Sequence, residues 1–393
     1  MAVNSILFFT NGDANNANIW SNVPYCFSHA LENKRITVFR IDYSMNPTFV
    51  GFYNLFLRRF LDCFSFRKLR FPYLRTTRLF KFFAERKIKR AILQYPQADL
   101  CLFMGYGFYN KWSQTPSLLF SDWTTEMDIQ KKRKPNFLEQ RIIRQEEESI
   151  NNAQYVISLF PVCCEEMKKK YPKANIHFLG GNVINDLSGL RMKRKDQCVH
   201  SSKEIIVEDL IETKSNSKKL LFIGRKTTYL EAAKKLIEAY KLLKEEEAYK
   251  DYSLDIVGCA ESDFSSLPEG VTCYGFLNKS EEKDRKAYYD LLLNAKVLVN
   301  ANPKWGAFSS TVEAMYYYTP VIVSPYQDFV KNFGEKIDFG VYNQNFTAKR
   351  IANDIKSVIN SDNYTEMCNF AHEKVKSYTW ENYVKQLCCL VSG

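Results

Sequence analysis

Three short stretches in the second half of the 393-residue chain carry residue types able to hold a nucleotide and its phosphates. The first is Gly224-Arg225-Lys226, which follows the apolar run Leu220–Ile223 and precedes a helical pattern starting near Tyr229. Backbone amides at a strand–turn–helix junction favour anions, and Arg225 or Lys226 could clamp a diphosphate. A solvated pair of surface cations is the competing reading. The second stretch is Tyr274-Gly275-Phe276-Leu277, where glycine lets the backbone approach a flat ligand such as a base. A turn over a core phenylalanine is equally open. The third runs from Asn300 through the glycine-bearing loop Trp305-Gly306-Ala307-Phe308 to Ser309-Ser310-Thr311 and Glu313. A strand is predicted to end at Asn300 and a helix to open near Ser309. The first amides of that helix can hold phosphate oxygens, and Glu313 can accept hydrogen bonds from two ribose hydroxyls. An ordinary glutamate favoured by the helix dipole is the alternative.

The first half offers Ser121-Asp122-Trp123-Thr124 after another predicted strand. Asp122 is a candidate catalytic base, or a group that orients an acceptor hydroxyl; a strand-end cap remains open beside it. Between Arg58 and Arg90 twelve Lys and Arg stand against Asp62 and Glu85, so one segment carries nearly all of the net charge of +11. Phe56, just before it, and Phe60 and Phe64 within it recur at helical spacing. Such a helix either lies on an anionic membrane with its aromatics inserted, or turns them to a core beneath a solvated basic face. The density of charge favours the membrane, with Arg58, Arg59, Arg67, Lys68 and Arg70 as the docking cations.

The elements positioning these residues read as two α/β units. Apolar runs at Ile6–Thr10, Ile36–Ile41, Leu100–Met104, Leu118–Phe120, Tyr155–Leu159 and Ile176–Leu179 alternate with helical stretches such as Asn136–Asn151 and Cys163–Lys170. Pro161 and Pro172 are places where a helix cannot easily continue. From Leu187 onward Lys, Ser and Glu dominate, and residues 187–218 read as a linker with a small inserted element near Ile205–Ile211. A second alternating series then starts: strands Leu220–Ile223, Leu254–Val257, Val271–Tyr274, Val297–Val299 and Pro320–Val323, with helices Tyr229–Glu247, Lys283–Asn294 and Ser309–Tyr318 between them.

A chain of this length calls for two cores. Its 46% apolar and 25% charged residues are ordinary for a globular protein. No apolar run reaches the roughly eighteen residues that a membrane helix needs. The apolar start lacks a basic leader and continues into Asn11-Gly12-Asp13, so a strand is expected there and not a signal peptide, and the protein is read as cytoplasmic. Eleven cysteines, two pairs of them vicinal and none in a C-x-x-C, suggest neither a disulfide framework nor a zinc site. The four histidines are scattered, and no metal is expected. The basic segment lacks any recognisable RNA- or DNA-binding motif, so no nucleic-acid partner is expected.

The order LLFIGR…LIEAY…LDIVG…VTCYGFL…VNANP…VEAM…TPVIVSP resembles the donor domain of retaining glycosyltransferases of family 4, over residues 219–330. The ending Ser377-Tyr-Thr-Trp380 resembles the start of that family's terminal helix. The resemblance implies a GT-B fold: an acceptor domain over 1–186, a nucleotide-sugar domain over 219–376, and a helix over 377–393 that crosses back to the first domain. It implies that Arg225 meets the donor phosphate, Phe276-Leu277 the base, Ser309-Ser310 the diphosphate and Glu313 the ribose. Gly12 resembles part of the flexible loop facing the donor. Two positions depart from the pattern. Trp305 stands where the family has its first acid, eight residues before Glu313, and Lys226 is left to substitute for the usual phosphate lysine. The implied function is sugar transfer from a nucleotide sugar, which is a substrate and not a cofactor, to a glycan or lipid-linked glycan. Cell-envelope polysaccharide synthesis on the inner face of the membrane is the expected setting. Trp305 also motivates a second reading, an inactive nucleotide-sugar-binding protein that serves as an assembly partner.

Overall fold

The computed structural model describes residues 3–60, 74, 77–130, 134–180, 182–197, 203–303 and 308–392. Two compact units divide the chain: Met1–Gly181 with Trp380–Gly393, and Asn182–Thr379.

The first unit is built on six parallel strands: β1 Ser5–Thr10, β2 Thr37–Asp42, β3 Leu100–Met104, β4 Ser117–Ser121, β5 Tyr155–Ser158 and β6 Ile176–His177, in the order β2-β1-β3-β4-β5-β6. The central strands are continuous apolar runs, as burial on both faces demands; all five residues of β3 and of β4 are buried. The helix Phe137–Asn152 starts on a reciprocal cap: Glu139 N–H donates to the Asn136 side chain and Asn136 N–H to the Glu139 carboxylate, each at 2.9 Å. The next helix, Pro161–Lys170, begins at Pro161, earlier than its sequence pattern suggests. The fixed φ of proline suits a first helical turn, and its missing N–H is not needed there. The last helix, Trp380–Ser392, belongs to this unit as the resemblance implies. Trp380 stacks on Phe27 at 4.7 Å, and Tyr383 meets Phe120 edge-on at 5.9 Å.

The second unit holds β9 Lys219–Ile223, β10 Ser253–Val257, β11 Val271–Gly275, β12 Val297–Asn300, β13 Val321–Val323 and β14 Gly340–Tyr342, all parallel, in the order β11-β10-β9-β12-β13-β14. This is the Rossmann arrangement, with β9 and β12 side by side where the strand order reverses.

Residues 187–218, read as a linker with a small inserted element near Ile205–Ile211, belong to the second unit. They form the short strands β7 Arg191–Lys193 and β8 Glu204–Ile206 and the helix Val207–Asn216, all within the second unit. Val207, Leu210 and Ile211 join its core. Lys214 is fully buried and donates to the carbonyls of Leu292 (2.6 Å) and Ala295 (3.4 Å), at the end of the helix Glu282–Asn294, and to Thr319 Oγ1 (2.8 Å). A cation there satisfies carbonyls that a helix end leaves open. The weak apolar periodicity conceals this docking because only one narrow face is buried.

Candidate functional site

In open parallel sheets ligands bind beyond the carboxyl ends of the strands where the order reverses. In the second unit that point lies after β9 and β12, whose ends carry Gly224-Arg225-Lys226 and Asn300 on neighbouring strands. Two loops cross closely here. A side chain at Gly258, which has φ +95°, would meet the Gly224 carbonyl oxygen at 2.4 Å, so only glycine lets the β9 and β10 turns touch. Lys226 N–H donates to the Gly258 carbonyl at 3.0 Å. That amide, and the Lys226 ammonium paired with Asp263, are therefore already engaged, and the clamp expected of Lys226 is turned toward the protein. Arg225, exposed like Lys226, stands at the cap of the helix Lys226–Lys244.

The helix expected to present its amides to phosphate is partly occupied. With the Asn182 amide turned so that its oxygen faces the helix, that oxygen accepts from Ser309 N–H at 2.7 Å and Phe308 N–H at 3.1 Å. Ser309 and Ser310 are half-buried beside it. Phe308, grouped with the donor-binding loop from sequence, is core: it is fully buried and packs on Phe329 at 5.3 Å and Phe333 at 6.1 Å. Trp305 and Gly306 lie outside the described residues. Around the same loop Asn300 Oδ1, Thr311 Oγ1 and Ser324 Oγ are buried with no hydrogen-bond partner among the described residues. Orphaned polar atoms are rare in a packed interior and mark places where a ligand or water completes the bonding.

Glu313 is buried, and its carboxylate is held by three donors. Tyr288 OH donates to Oε2 at 2.7 Å, Tyr289 OH to Oε1 at 3.1 Å, and Lys279 Nζ lies 3.3 Å from Oε1. Burial, reinforced by the Glu313 charge, pushes both phenols well above their ordinary range, so they remain donors. Lys279 sits in the loop after β11, where Arg285 Nη1 fixes its carbonyl at 3.1 Å. The same loop carries Phe276, which is 66% exposed, next to the half-buried Leu277. An exposed ring following Gly275 is a surface on which a planar base can stack.

In the first unit the order reverses between β1 and β3, which places Gly12 at the corresponding strand end. Its φ of +127° suits glycine, and its N–H donates to Asp42 Oδ1 at 2.9 Å. Asp122 follows β4 and acts as a strand-end cap: Oδ1 accepts from Trp123 N–H at 2.8 Å and from Ser121 Oγ at 3.3 Å. Desolvation raises its pKa. Three residues on, Thr125 N–H donates to Glu146 at 2.8 Å, and burial pushes the Glu146 carboxyl up to about 7. Sequence reading did not single out Glu146, Asn182, Lys279, Tyr288 or Tyr289. Each acts through a partner distant in the chain, and no local motif marks them. Arg58 and Arg59 are described, whereas Arg67, Lys68 and Arg70 are outside the described residues. Among the described residues no group of three or more His, Cys, Asp or Glu side chains could share a metal ion.

Residues 207–375 match the family model "Glycosyl transferases group 1", somewhat less than half of the chain. The matched segment contains Arg225, Phe276, Ser309 and Glu313. No curated protein matches the sequence. Among solved structures the chain is similar to a mutant of S. aureus TarM in complex with fondaparinux, alpha-GlcNAc-glycerol and UDP, at 17% identity and TM-score 0.52. That match covers 75% of this chain but only 55% of TarM. A glycosyltransferase from Rickettsia africae matches at 13% identity and TM-score 0.63, covering 98% of this chain and 97% of that one. Anabaena HepE in complex with UDP and glucose matches at 13% identity and TM-score 0.58 over 100% of both chains. At such identities the likeness concerns the fold, which is GT-B.

Proposed function

We propose that this chain, whose second unit carries a group 1 glycosyl transferase domain, moves a sugar from a nucleotide-sugar donor to a glycan or lipid-linked glycan. The observation that carries this reading is that the matched segment spans the strand-order reversal, where β9 leads into Arg225 and its neighbour β12 precedes the helix Ser309–Tyr316. In this reading Phe276 and Leu277 take the base, Arg225 and the Ser309-Ser310 turn take the diphosphate, and Glu313 takes the ribose. The acceptor hydroxyl attacks the anomeric carbon from the face that the nucleoside diphosphate leaves, the C–O bond to the diphosphate breaks, the hydroxyl proton passes to a departing phosphate oxygen, and Arg225 stabilises the charge on the leaving group. Family 4 membership and retention of anomeric configuration belong to the same proposal, as does a role in envelope polysaccharide synthesis at the inner membrane face.

Support for a membrane-facing first unit comes from its exposed apolar side chains. Phe52, Leu55, Phe56 and Phe60 are exposed on the residues leading into the basic segment, and Leu79, Phe82 and Phe83 on the helix Arg78–Gln94. No described helix is long and apolar enough to cross a membrane.

UDP is the probe of choice because TarM and HepE were solved with it. Calorimetry with UDP and a panel of UDP-sugars, followed by donor turnover with acceptor supplied, tests the reading. Ligand at a hundred times its Kd adds about 2.7 kcal/mol of stability, visible as a raised Tm. The second reading, an inactive binding partner, draws on the Asn182 oxygen occupying the helix amides. UDP-sugar binding without turnover would favour it, and absence of any nucleotide binding would sink both.

A further inference from the structure

We propose that the first unit carries a second anion site, a basic cavity that takes the phosphoryl headgroup of a membrane lipid. The cavity, about 290 Å³, is lined by Arg78, Lys81, Arg141, Arg144, Gln145 and Glu148 among others. It lies where the first turn of the helix Arg78–Gln94 faces the helix Phe137–Asn152. Four cations meet one carboxylate there, and that carboxylate, Glu148, is already held by Lys111 at 2.9 Å. Lys81 has a distant contact with Glu85 at 3.9 Å. Arg78, Arg141 and Arg144 have no hydrogen-bond or ion-pair partner among the described residues. Guanidinium groups that outnumber the nearby carboxylate repel one another, and an oxyanion in the cavity relieves that repulsion. Several guanidinium forks suit a phosphoryl group, whose oxygens accept bidentate pairs from more than one side.

The lipid, and not a free phosphate, follows from what flanks the cavity. Leu79, Phe82 (59% exposed) and Phe83 stand on the same helix as Arg78 and Lys81. Phe82 is one turn from Arg78, so an apolar surface adjoins the cationic one. A headgroup in the cavity would leave its acyl chains against these rings. The site rests on the membrane-facing part of the function proposed above and is independent of donor chemistry.

The test is sedimentation of the full chain with phosphatidylcholine vesicles alone, with added phosphatidic acid, or with added phosphatidylserine at matched surface charge. The wild type is expected to prefer the phosphomonoester lipid. Arg141→Ala with Arg144→Ala should weaken binding about twenty-five-fold, taking each surface cation as roughly fivefold. Arg141→Lys with Arg144→Lys keeps the charge but loses the forks, so it should bind both anionic vesicles equally. Equal binding of the two anionic vesicles by wild type, or a preference surviving in the lysine variant, overturns the proposal. So does calorimetric binding of inorganic phosphate as tight as that of the vesicles. UDP titration of the same variants checks their folding; failure of wild type to bind UDP would count against sugar transfer and leave the vesicle result standing.

Discussion

Lys279 and Glu313, 34 residues apart, form a nearly solvent-free ion pair, with Nζ 3.3 Å from Oε1. The carboxylate proposed for ribose is thus already matched by a cation and two phenols. A ribose must share Glu313 with these donors or displace one of them. Lys279 is the natural one to move, since an exposed loop carries it and the tyrosines are fixed in a helix.

Glu313→Ala is expected to act twice. It strands the Lys279 ammonium, and breaking a buried pair costs about 3–5 kcal/mol, readable as a lowered urea midpoint. It also removes the ribose acceptor, so UDP affinity should fall on the order of ten- to a hundredfold. Calorimetry on a folded sample showing unchanged affinity removes Glu313 from the site.

Arg225→Ala should lower affinity for UDP far more than for uridine, because a cation at a strand–helix turn acts on phosphate and not on the base. Titrations of both ligands decide this; equal losses would contradict the assignment.

Lys214 provides a pH-dependent prediction. Burial lowers its pKa from 10.5 to about 7. Between those values the unfolded chain binds a proton that the folded chain does not, so stability rises with pH across that window, by at most about 1.4 kcal/mol per pH unit. Below about 7 both states are protonated and the slope vanishes. Urea titrations from neutral to alkaline pH should show this slope in wild type and a flatter one in Lys214→Met. Parallel curves would mean that Lys214 stays charged at the helix end.

Vesicle binding should require anionic lipid and weaken as salt rises, since charges act within about 10 Å at 0.1 M ionic strength. Arg67→Glu, Lys68→Glu and Arg70→Glu together should release the protein, as should Phe56→Ser with Phe60→Ser, while UDP binding persists. If wild type ignores anionic lipid, the acceptor is better sought among soluble glycans.

All strands of the two six-stranded sheets but β14 were legible in the sequence because parallel strands buried on both faces must be continuous apolar runs, and Gly224, Gly258 and Gly275 end three of them visibly; β14, only three residues long, gives no such run. Arg225, Phe276 and Glu313 could be singled out for the same reason: local order places them just past a strand or one turn into a helix. Tertiary structure decided how those groups are used. Glu313 met Lys279 and two tyrosines, Asn182 reached the helix amides, Lys226 turned to Asp263, and Phe308 went into the core. It also drew residues 187–218 into the second unit and brought Arg78 and Lys81 against Arg141 and Arg144. Periodicity reports which face of an element is apolar, but not which neighbour will cover it. Buried charges and polar groups take their partners from elements far away in the chain, and those partners exist only once the sheets have assembled.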